Sequence, residues 1–131
     1  MKQLFLYLIF LFLFSLTFGQ TQLLKGYDFN KGGYYILGAF STSDRNSLRD
    51  SLGEFYTDDI VILNQFKKEW VFKKPGEQYA CGYHYTIYVC AKGEALEHFS
   101  INLNCEEIVT QHGYFYFNPN KLRQFYGKLK K

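Results

Sequence analysis

Two neighbouring stretches of this chain alternate apolar and polar residues, and they restrict its fold more than any other feature. Tyr79 to Ala91 (YACGYHYTIYVCA) carries Cys81, Tyr83, Tyr85, Ile87 and Val89 at odd positions. Leu96 to Cys105 (LEHFSINLNC) carries Phe99, Ile101, Leu103 and Cys105 at odd positions. Side chains alternate faces along a strand, so both stretches are expected to be half-buried strands. Lys92-Gly93-Glu94 lies between them as a turn. A three-residue loop there pairs Ala91 with Ala95 and brings the two apolar faces together. The same register pairs Ile87 with Phe99, Tyr85 with Ile101, Tyr83 with Leu103, and Cys81 with Cys105.

The even face of this hairpin is polar and aromatic. It sets His84 opposite Asn102, Thr86 opposite Ser100, and Tyr88 opposite His98, with Cys90 diagonal to His98. A rigid sheet face of this kind is a suitable platform for recognition. The competing expectation is the ordinary solvent side of an antiparallel sheet.

The rest of the chain supplies weaker signals. Residues 20–33 hold Gly26, Gly32 and Gly33 and are expected to be irregular. Tyr34 to Phe40 (YYILGAF) is β-rich and ends at Ser41-Thr42-Ser43-Asp44, a cluster of turn and cap residues. Leu48 and Leu52 stand four apart within Arg45 to Gly53, which fits a short helix or an ordered loop. Between Thr57 and Trp70 the signals conflict. Ile60-Val61-Ile62 is β-branched and favours a strand. Thr57 as a cap, Asp58 and Asp59 in a first turn and Lys67 and Lys68 in a last one favour a helix. Ile60, Leu63, Phe66 and Trp70 would then share one face, and the helix is preferred. Pro75-Gly76 marks the turn that follows.

Ile108 to Thr110 and Tyr114 to Phe117 are expected to form a further strand or hairpin around Gln111-His112-Gly113. Asn118-Pro119 is a cap followed by proline at a first helical position, and Leu122, Phe125, Tyr126 and Leu129 form an apolar stripe after it. The expected fold class is α+β: a single small domain with a mostly antiparallel sheet and two or three helices packed on one face.

The N-terminus predicts export. Lys2 precedes an unbroken apolar run from Leu4 to Phe14, and Thr17-Phe18-Gly19 puts small residues at −3 and −1 of a cleavage site. Residues 1–19 are thus expected to be a secretory signal peptide, and residues 20–131 the exported domain. A retained anchor would need about 20 apolar residues, and Ser15 and Thr17 already dilute the run. No cysteine follows it to accept a lipid. The mature chain is expected in the periplasm or secreted, with no stable membrane anchor.

Export also frames the three cysteines, which cannot all pair within one chain. Cross-strand Cβ atoms lie about 4.5–5.5 Å apart, slightly long for a disulfide at about 3.5–4.5 Å, and local twist can close the gap. A Cys81–Cys105 bridge is therefore expected in an oxidising compartment, contributing about 3.5 kcal/mol in the chain-entropy model. Cys90 is left as a free thiol.

Charge and motifs exclude more than they identify. The net charge of +3 falls to +2 when Lys2 is removed, so no strong field points at nucleic acid. Lys121, Arg123, Lys128, Lys130 and Lys131 gather at the C-terminus, where they complement a helix dipole. Cys81 and His84 face opposite ways on a strand and form no dyad. Asp58-Asp59 and Glu106-Glu107 are adjacent residues that point apart, unlike a glycosidase pair. No phosphate loop, nucleophile elbow, HExxH or CxxC motif is present, and no metal or cofactor is implied.

The expected function is a small exported envelope protein that acts as a non-catalytic binding module. Its partner would be an envelope or extracellular protein, with an inhibitor or immunity-type role. His84, Thr86, Tyr88, His98, Ser100 and Asn102 are the candidate contact residues. The alternatives are a glycan or small-ligand module using exposed Tyr and Trp70, and a thiol enzyme built on Cys90 and His98.

Overall fold

The computed structural model describes residues 20–41, 52–73 and 82–129. The expected leader, most of Arg45 to Gly53, and Cys81 lie outside these residues. From Tyr34 onward seven strands form one antiparallel sheet, and a two-residue strand at one edge makes it eight. In chain order they are β1 (Gln20–Thr21), β2 (Tyr34–Phe40), β3 (Phe55–Thr57), β4 (Phe72–Lys73), β5 (Tyr85–Ala91), β6 (Glu94–Asn102), β7 (Glu107–Thr110) and β8 (Gly113–Tyr116). The spatial order is β1-β4-β8-β7-β6-β5-β2-β3. Helix α1 (Ile60–Glu69) joins β3 to β4, and α2 (Asn120–Leu129) ends the described chain. The domain is α+β with two α-helices, and no helix among the described residues is long and apolar enough to cross a membrane.

Parity places β5 against β6 as expected. Tyr85 pairs with Ile101, Thr86 with Ser100, Ile87 with Phe99, and Tyr88 with His98. The tip differs. Lys92 and Gly93 both have positive φ (54° and 81°), which makes a two-residue turn instead of a three-residue loop. The missing residue reappears as a bulge: Val89 pairs with Glu97 but Cys90 with Ala95.

The far ends of both strands are also shorter than the alternation predicts. Residues 82–84 are irregular, and β6 stops at Asn102 because that side chain turns the backbone. Its Oδ1 accepts from the Asn104 and Cys105 amides, each at 2.7 Å, and its Nδ2 donates to the Gly82 carbonyl. Cys105 therefore sits in the turn after β6 and not on the strand, so cross-strand register no longer argues for its bridge. With Cys81 outside the described residues, the Cys81–Cys105 pairing remains a proposal.

Helix wins over strand at residues 60–69 because its N-terminus is capped and its face is buried. The cap is Asp59, not Thr57: Asp59 Oδ1 accepts from the Val61 amide at 2.8 Å and the Ile62 amide at 3.3 Å. Thr57 is instead paired with Ile36 at the end of β3. Leu63, Phe66 and Trp70 are buried, whereas Ile60, expected on that face, is exposed. At α2, Asn118 Oδ1 accepts from the Asn120 amide at 3.0 Å, and Leu122 and Phe125 are buried.

Both helices cover the same side of the sheet. Phe66 of α1 and Phe125 of α2 pack with their rings tilted and 5.1 Å apart, and Phe66 meets Phe99 of β6. Trp70 sits at the junction with its ring 4.3 Å from Phe66 and 5.1 Å from Phe117. Ile36, Tyr85, Ile87, Val89, Ile101, Ile108 and Phe115 complete this core from the strands. Trp70 is only 1% exposed, which removes it from any sugar-stacking surface.

Candidate functional site

Because the helices take one side of the sheet, the other is left to the even residues of β5 and β6 and to the residues in phase with them. Strand pairing sorts these into cross-strand rows. Tyr56, Leu37, Tyr88 and His98 form one row across β3, β2, β5 and β6. Ala39, Thr86, Ser100, Val109 and Tyr114 form the next, from β2 to β8. Asn102, Glu107, Tyr116 and Lys73 form a third at the far end. Tyr35 lies beside Cys90, and its ring packs 5.5 Å from that of Tyr56.

The structure divides the six expected contact residues. Tyr88 is exposed and lies beside His98, whose Nδ1 is 3.3 Å from Gln111 Nε2. Thr86 is buried, and its hydroxyl is engaged by Ser41 at 2.6 Å and by Ser100 at 3.2 Å. Asn102 is buried and uses its side chain on the backbone. His84 Nδ1 accepts from the Leu103 amide at 3.2 Å. The residues that most resemble a recognition surface are therefore Tyr88 and His98, extended by Tyr35, Tyr56, Tyr114 and Tyr116. Tyr35 and Tyr56 follow from parity once β2 is known to pair with β5, a long-range contact no local pattern reveals, whereas Tyr114 and Tyr116 follow from the pairing of β6, β7 and β8.

Two buried carboxylates also escape a reading based on doublets. Glu97 is 6% exposed and points to the helix side, where its Oε1 accepts from Tyr27 Oη at 3.1 Å and lies 3.3 Å from His112 Nε2. Glu107 is 3% exposed, and its Oε1 accepts from Tyr83 Oη at 3.3 Å. In each the Oε2 oxygen is buried without a hydrogen-bond partner. Glu97 was visible in the sequence as a charged residue in the apolar phase of β6.

These carboxylates act on the phenols beside them. Burial foremost, with the neighbouring Glu107 charge, pushes the Tyr83 hydroxyl up to about 12 from its ordinary value of 10. Its protonated form is thus favoured by folding. That contribution is fully present below about pH 10 and is lost as pH rises through 12. Tyr83→Phe is expected to flatten the fall in urea midpoint between these values. An unchanged slope would show that Tyr83 is not the group responsible.

Cys90 is the free cysteine among the described residues, and it is buried. Burial raises its thiol, with a Tyr35 hydrogen bond opposing, so the thiolate is scarce at neutral pH. The bulge shifts the cross-strand partner of Cys90 from the expected Leu96 to Ala95, one residue further from His98 along β6. Among the described residues no group of three His, Cys, Asp or Glu side chains could hold a metal ion. Comparison with protein families, curated proteins and solved structures finds no match to this chain.

Proposed function

We propose that this is a small exported binding protein that works by occupying a protein partner in the envelope or outside the cell, as an inhibitor or immunity-type factor does. The observation that carries it is the segregation of both helices to one face of the sheet, which leaves a tyrosine-rich face on the other. Tyr56 is 58% exposed, Tyr88 37% and Tyr116 49%. Tyrosine suits such a surface because its rigid ring contributes large apolar area at small entropic cost while its hydroxyl remains hydrated. Energetic anchors at protein interfaces are enriched in this residue. The strands beneath hold the rings in fixed register, so little order has to be acquired on binding.

The test is affinity capture from the native envelope fraction with the mature protein, in parallel with a Tyr56→Ala/Tyr88→Ala variant. One stoichiometric protein is expected with the wild type, held at least about tenfold more weakly by the variant. Equal capture by both would remove the face from the proposal.

A further inference from the structure

We propose that a cavity beside the C-terminal helix binds a small acidic saccharide, a monoanion carried on a hydroxylated ring. The cavity has a volume of about 370 Å³, within the range of about 300–1,000 Å³ in which small-molecule sites fall. Val71 and the buried Phe117 contribute its apolar lining. Lys73, Lys121, Glu106, Asn118 and Tyr116 supply its polar and aromatic groups.

The sequence builds this site from three separated segments. Lys73 of β4 pairs directly with Tyr116 of β8, so their side chains leave the sheet on the same face about 5 Å apart. Glu106 is held at a positive φ of 51° in the turn before β7, and its carbonyl accepts from the Phe117 amide at 2.9 Å. Lys121 lies in the first turn of α2. Its Nζ donates to the Glu69 carbonyl at 3.3 Å, which leaves two of its three donor protons for a ligand.

The charge pattern selects the ligand. Two ammonium groups and one carboxylate give the lining a net charge of +1, matched by one anionic group. A multiply charged phosphate would meet Glu106 as well as the lysines. Glu106 is an acceptor for ring hydroxyls, and Asn118 adds an amide. The half-exposed Tyr116 ring offers the flat apolar face that pyranose C–H groups pack against. Tyr116 is shared with the tyrosine-rich face, but Tyr56 and Tyr88, the residues that test that face, do not line the cavity, so the two readings fail separately.

The probe is D-glucuronate, titrated into the mature protein by NMR, with D-glucose and inorganic phosphate as comparisons. Saturable shifts at Lys73, Tyr116 and Lys121 are expected, with a Kd of about 1 mM, as befits a monosaccharide. Glucose and phosphate should each bind at least about tenfold more weakly. Lys73→Gln/Lys121→Gln should weaken glucuronate by at least about tenfold, with an unchanged circular dichroism spectrum. Tyr116→Leu should weaken both sugars. No saturation, equal binding of phosphate, or full retention by the double lysine variant would each overturn the proposal.

Discussion

Replacing Trp70 by alanine is expected to cost about 3–5 kcal/mol, the usual range for a buried aromatic removed from a core. Trp70 is the place where four elements meet. Beyond Phe66 and Phe117, its ring lies 6.0 Å from Phe125 of α2, 6.2 Å from Phe72 of β4 and 6.3 Å from Phe99 of β6. Such a loss is a large part of the 5–15 kcal/mol that holds a typical domain together. The Trp70→Ala urea midpoint should fall accordingly, and the variant should be marginal at 37 °C. A loss below about 1.5 kcal/mol would mean that the surrounding phenylalanines collapse into the space and the junction is not rigid.

The second large effect is expected from the opposite kind of change. Gly38 lies in the middle of β2, where a side chain would normally strengthen a strand. A Cβ there would lie 2.5 Å from Tyr85 Oη and 2.6 Å from Phe55 Cδ1, with the Cε1 of that ring nearer still. Neither neighbour yields easily. Tyr85 is fully buried and donates to the Gly53 carbonyl at 2.6 Å, and Phe55 packs against Phe125. Gly38→Ala should destabilise by about 3 kcal/mol, the upper end for overpacking. Phe55→Leu in the same chain should recover part of that loss, because contacting residues are not additive. Strict additivity of the two changes would place the strain elsewhere.

How much of this architecture was legible beforehand depended on the range of the contacts involved. The β5–β6 register was visible because two apolar phases must coincide across a short turn. The last helix was visible because Asn118-Pro119 and a regular apolar stripe agree. Strands β3 and β4 were not, since three and two residues leave no periodicity to detect. The phase of Asn102 along β6 predicts a surface position. The residue is instead a turn-former, a role asparagine fills by satisfying backbone amides. Glu107 enters a sequence reading only as half of the Glu106-Glu107 doublet, and Glu97 belongs to no motif. Only the packing around them shows that each carboxyl is buried, with one oxygen bonded to a tyrosine and the other without a partner.

The margins of the sheet bear on how the molecule meets its surroundings. Its outermost described strands, β1 and β3, offer two and three residues, too few to template an added strand from another chain. Recognition by strand addition, which depends on a long unpaired edge, therefore has little to hold here. Self-association edge to edge is blunted for the same reason. What the described sheet can present is breadth, so a partner of the proposed kind would meet side chains and not backbone, and its specificity would rest on which rings and charges stand on that plane.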